Sequence, residues 1–105
     1  MSTVDSPLGG IVNVRRLVMD VDKAVHRPDI LEIAAAIEAV AGVEAVNITV
    51  TEIDIETVGM EVTVEGEGID TARVVTAIEQ TGAVMHSIDQ VVSGARIIEA
   101  VPRSR

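Results

Sequence analysis

The stretch Gly42-Val-Glu-Ala-Val-Asn-Ile-Thr-Val-Thr-Glu-Ile-Asp-Ile-Glu-Thr57, answered by Gly82-Ala-Val-Met-His-Ser-Ile-Asp-Gln-Val-Val-Ser-Gly94, decides how this chain folds. Each begins at a glycine suited to ending a helix, runs on through β-branched residues and reaches acids. Val46, Ile48 and Val50 alternate with Asn47, Thr49 and Thr51, and Met60, Val62 and Val64 alternate with Glu61, Thr63 and Glu65. This period of two predicts a pair of strands buried on one face, with residues 56–59 as the hairpin turn between them.

A helix precedes each quoted stretch. Asp29 after Pro28 is placed as an N-cap and Glu32 completes a capping box, after which Ile30, Ile33, Ala34, Ile37 and Val40 form one apolar stripe that Gly42 stops. The second helix repeats the logic: Asp70 caps it, Ile69 and Val74 are spaced as a hydrophobic staple, Val74, Ala77, Ile78 and Thr81 share a face, and Gly82 ends it. Ala36-Ile37-Glu38 and Ala77-Ile78-Glu79 stand at the same distance from their caps, a weak internal repeat.

Ahead of the first helix, residues 11–21 read as a long strand with a largely buried centre, ended by Asp20 and Asp22. The strand after Gly82 has two admissible phases, with Val84, His86 and Ile88 or Met85, Ser87 and Asp89 facing inward. A short fifth strand, 97–101, can follow the Ser93-Gly94 turn. The order strand, helix, strand, strand, helix, strand defines an α+β fold, the ferredoxin-like βαββαβ sandwich, a four-stranded antiparallel sheet with two helices on one face. Its second and fourth strands are the edges, and neither carries Pro or Lys to discourage pairing with another chain. Edge-to-edge or head-to-tail self-assembly is therefore expected, and a heterologous contact that closes builds a ring.

Composition sets further bounds. The chain has 105 residues, enough for one domain, and no Phe, Tyr or Trp, so Val, Ile, Ala and Met must fill the core. A core of small side chains is often supplemented by oligomerisation. The absence of cysteine removes disulfides, thiolate metal sites and a thiol nucleophile. A net charge of −9, with the acids scattered, repels polyanions and attracts cations, so nucleic acid is not an expected partner. No apolar run is long enough to span a membrane and residues 1–10 lack the pattern of a signal peptide, which predicts a cytoplasmic location. The expected organisation is a loose leader over 1–10, the domain over 11–101 and a basic tail over 102–105.

Over roughly residues 11–99 the chain resembles the archaeal domain-of-unknown-function family 211. The resemblance rests on Gly42-Val43, Val46-Asn47-Ile48-Thr49, Glu52-Ile53-Asp54 with Glu56-Thr57, Ala77-Ile78-Glu79, Gly82, and His86-Ser87-Ile88-Asp89 with Val91-Val92 and Gly94. It implies a ferredoxin-like fold in a ring-like homo-oligomer, bound divalent cations such as calcium, and no assigned catalytic activity.

Three constellations carry the candidate chemistry. Glu52, Asp54 and Glu56 are alternate residues of one extended segment, so their carboxylates can converge at the sheet edge as oxygen ligands for a hard cation, calcium in particular. The plainer reading is a solvated, charged hairpin end. Asp20, Asp22, His26 and Asp29 cluster in sequence around the first strand-to-helix connection and could hold a divalent ion, against the reading that Asp29 merely caps and the others are solvated. His86-Ser87-x-Asp89 invites a nucleophilic reading, but neighbours on a regular strand point to opposite faces, so His86 is assigned instead to a sheet or interface contact near Asn47 and Thr49, with Asp89 closing the strand.

These residues lead to a non-enzymatic, self-assembling domain with cation sites at carboxylate-rich strand ends and no organic cofactor. The alternatives are a regulatory module sensing a small-molecule ligand, a metabolite, at subunit interfaces, or a purely structural scaffold.

Overall fold

The computed structural model describes residues 12–99. Among them the chain forms β1 (Val14–Ala24), α1 (Ile30–Glu38), β2 (Val43–Ile53), β3 (Thr57–Gly66), α2 (Thr71–Gln80) and β4 (Val84–Ser93). The strands make one antiparallel sheet in the order β2-β3-β1-β4. This is the ferredoxin-like order, with β2 and β4 at the edges as expected. The fifth strand does not form over 97–99; its remaining residues lie outside those described, as do the leader and the tail.

The core follows from alternation. β1 turns Leu17, Met19 and Val21 to the helix side, β3 turns Met60, Val62 and Val64 to the same side, and all six are fully buried beneath Ile33 and Ile37 of α1 and Val74 and Ile78 of α2. Removing such side chains from water stabilises the fold by about 1.5–3 kcal/mol each. The helices begin where their caps require. Asp29 Oδ1 accepts the Leu31 N–H at 2.9 Å while Glu32 Oε1 accepts the Asp29 N–H at 2.9 Å, completing the capping box. Asp70 Oδ1 accepts the Arg73 N–H at 3.2 Å, with Ile69 and Val74 both buried beside it.

Several boundaries differ from the sequence reading. β1 does not end at Asp20 and Asp22 but runs three residues past Val21, because those acids occupy the solvent-facing positions of the strand while Met19, Val21 and Lys23 occupy the buried ones. An acid on the open face does not terminate a ladder. The hairpin turn is likewise earlier: the Asp54 N–H donates to Thr57 O at 2.8 Å, so residues 54–56 make the turn and Gly59 lies inside β3.

Gly42 is not the stop of α1, which is capped at Ala39. Its place is set by close backbone contact: it has φ +89°, its carbonyl accepts the Glu67 N–H at 2.9 Å, and a Cβ on Gly66 would collide with that same carbonyl oxygen. Gly82, by contrast, follows the C-cap Thr81 directly with φ +103°, as a left-handed helix stop should.

The phase ambiguity of β4 is resolved by two bulges. Val18 pairs with Gln90 and Met19 with Ile88, leaving Asp89 extra; Asp20 pairs with Ser87 and Val21 with Met85, leaving His86 extra. Each extra residue reverses the alternation, so Met85 from one phase and Ile88 from the other both lie opposite buried residues of β1.

Ile37→Ala should lower the free energy of unfolding by about 2–5 kcal/mol, since it opens a cavity in a core with no large rings to fill it. Leu31→Ala on the same helix, with Leu31 75% exposed, should change it by less than about 0.5 kcal/mol. Urea denaturation of the two variants checks the difference.

Candidate functional site

The helices cover one face of the sheet and leave the other open. Register places four rows across that open face: Val84, Asp22, Gly59 and Glu52; then Ser87, Asp20, Glu61 and Thr49; then Gln90, Val18, Thr63 and Asn47; then Val92, Arg16, Glu65 and Ala45. The first two rows carry four carboxylates. At Gly59 a side chain would meet Asp22 Oδ1 on one flank and Glu52 Cβ on the other, so the glycine leaves a notch between two acids.

His86 joins this acidic end. Its bulge position turns the imidazole towards β1, where Nε2 lies 2.9 Å from Asp22 Oδ2 in a half-exposed pair. The sequence put Asp22 among cation ligands and His86 at an interface; their contact spans 64 residues and was not foreseen. Ser87 Oγ donates to Asp89 Oδ1 at 2.8 Å and Thr49 Oγ1 to Asn47 Oδ1 at 3.0 Å. Within one chain His86 does not lie near Asn47 and Thr49, so the sheet contact expected from the sequence is not made there. They lie on opposite edge strands with β3 and β1 between, about 14 Å apart at a strand spacing near 4.8 Å.

The proposed cation ligands are dispersed within one chain. Glu52 is in β2, but the extended segment stops at Ile53, so Asp54 and Glu56 belong to the turn and no longer share its alternation. Asp54 Oδ1 accepts the Ile55 N–H at 2.9 Å, and Asp54, Ile55, Glu56 and Thr57 line a shallow hollow at the tip. In the second constellation Asp29 is committed to its cap, Asp22 to His86, and Asp20 and His26 are exposed. Among the described residues no three His, Asp or Glu side chains gather as a metal site within a single chain.

Two features escaped the sequence reading. Lys23 lies on the buried face of β1, and its ammonium donates to Ala24 O and Val25 O, each at 3.0 Å, tying down the chain that leaves the strand. Arg16 holds Glu65 through Nε at 2.7 Å and grips Glu99 with both terminal nitrogens, Nη1 to Oε1 at 2.9 Å and Nη2 to Oε2 at 3.2 Å. These bonds raise the guanidinium pKa above its usual range and lower that of the Glu99 carboxyl. The two adjacent arginines were visible in the sequence, but nothing there pairs position 16 with position 99.

A ferredoxin-like α+β domain with an open, acid-rich sheet face is the class that these observations define. The chain belongs to the family DUF211, described as uncharacterized ArCR, whose model matches residues 15–105. It is 43% identical over 88 residues to the uncharacterized protein MJ0319 of Methanocaldococcus jannaschii, across 84% of this chain and 90% of that protein. Neither the family nor this relative carries an enzymatic name. Among the described residues no helix is long and apolar enough to cross a membrane.

Because the folded-state pKa of Glu99 is depressed by Arg16, the contact contributes stability above the unfolded-state value, near 4.3 for glutamate, and loses it as pH falls through the lower folded value. NMR titration of the Glu99 side chain should give a midpoint below that reference, and Arg16→Gln should return it to the ordinary range.

Proposed function

We propose that this protein is a non-enzymatic, cytoplasmic building block that assembles head-to-tail into a ring, with divalent cations, calcium by preference, held by carboxylates drawn from adjacent copies. The observation that carries the reading is the distribution of exposed apolar side chains. On the β2 side stand Val50 (39% exposed), Ile53 (75%) and Ile55 (90%), and on the β4 side Val84 (48%), Ile88 (39%) and Val91 (54%). The strand order puts these sets at opposite edges of one sheet. Two different apolar patches on opposite edges suit a heterologous contact, in which the β2 side of one copy meets the β4 side of the next.

The cation follows from the same contact. Glu52, Asp54 and Glu56 flank the exposed isoleucines at the hairpin tip. Burying that tip against a second acidic chain brings like charges together, and an ion with several oxygen ligands relieves the clash. Against catalysis stands the geometry of the His86–Ser87 pair: the Ser87 hydroxyl is given to Asp89 and the imidazole faces Asp22, so base and nucleophile are not joined.

Native mass spectrometry before and after chelation tests the reading. A closed oligomer with a fixed number of ions per subunit is the expected result, and a monomer at working concentration would sink it. Ile53→Glu with Ile55→Glu should shift the protein to monomer without loss of secondary structure by circular dichroism. Glu52→Gln, Asp54→Asn and Glu56→Gln together should abolish calcium uptake measured by calorimetry; unchanged uptake would remove the hairpin tip as the site.

A further inference from the structure

The row at the far end of the open face contains an anomaly. Val92 is 8% exposed, yet it lies outside the cluster that packs between sheet and helices, and its partner across the strand is Arg16, whose side chain reaches Glu65 on the open face. No helix reaches that side of the sheet to bury it. The chain that leaves β4 does return there. Gly94, at φ +114°, makes the turn; its N–H donates to Asn13 O at 2.8 Å and its carbonyl accepts from Asn13 Nδ2 at 3.2 Å. Arg15 Nη1 then holds Ala95 O at 2.8 Å, and the Arg16 fork takes Glu99.

We propose that residues 94–99 form a salt-latched strap that folds back over the end of the open sheet face and covers Val92, and that its release through the Arg16–Glu99 latch uncovers an apolar and cationic patch at the end of edge strand β4. Every described tether of the strap comes from residues 13–16, and beyond Gly94 those tethers are side-chain contacts rather than a strand ladder. A segment held in this way opens far more readily than the sheet beneath it. The latch is half solvent-facing: the Arg16 side chain is 15% exposed and that of Glu99 76%, so the pair is both bidentate and open to screening by salt. Release leaves Arg16 with Glu65 alone and exposes Val92 beside it on the open face, while Val91, opposite Leu17, points to the other side of this bulged edge strand. The strap thus controls how much of that edge another chain can reach, whether or not the protein assembles as proposed above.

Since the protein has no cysteine, Val92→Cys introduces a single thiol whose rate of labelling, with reagent dilute enough not to outrun reclosing, follows the open population. Labelling should be slow in low salt and rise about two- to fivefold when Glu99→Gln is added, the range an exposed ion pair commands. Concentrated sodium chloride should produce the same rise without the Glu99 change. Val74→Cys, on the buried face of α2, is the control for global unfolding and should respond to neither. An unchanged Val92→Cys rate on adding Glu99→Gln, or an equal rise at Val74→Cys, overturns the proposal. In the unsubstituted chain, nuclear Overhauser contacts from the Val92 methyls to residues 97–99 should be present, and their absence overturns it independently of any variant.

Discussion

A core without a single aromatic ring has to be closed by the registration of small and branched side chains, and in this protein it depends on the central pair of strands. Leu17 faces Val64, Met19 faces Val62 and Val21 faces Met60, each pair fully buried. A slip of β3 by one residue against β1 would carry Met60, Val62 and Val64 to the open face and put Glu61 beneath the helices. The seating of the helices on the sheet and the glycine contact at Gly42 and Gly66 presuppose that register.

The edges show a different balance. Lack of Pro and Lys on β2 and β4 suggests unguarded edges, but both strands are bulged against their neighbours, β4 at Asp89 and His86 and β2 at Glu44 and Thr51. Bulges twist an edge away from regular pairing. A long additional ladder is thereby disfavoured, whereas Ile53 and Ile55 stand exposed beside the β2 edge. The same bulge that interrupts β4 turns His86 towards Asp22, so one local irregularity both shapes the edge and builds a polar contact.

The open face is where the sequence was least informative. Asp22 and His86, and Arg16 and Glu99, are joined across 64 and 83 positions, and each pair exists only because two strand ends or a returning segment come together. The carboxylates of the hairpin tip show the converse. Their alternate spacing is real, but it has geometric meaning only while the chain stays extended, and the turn at residues 54–56 interrupts it. Lys23 went unread for a related reason: a charged residue can sit on the buried side of a strand only where something satisfies it, here the backbone carbonyls of Ala24 and Val25.

By itself the sequence determined the order of elements, the ferredoxin-like class, the caps at Asp29 and Asp70 and the residues of the core, because these depend on contacts near in sequence and on hydrophobic periodicity. Tertiary structure alone decided the extent of β1, the phase of β4, the pairing of His86 with Asp22 and the return of residues 94–99 to Arg16. Those features depend on register and bulges, which are set by the packing of distant segments and leave no local pattern to read.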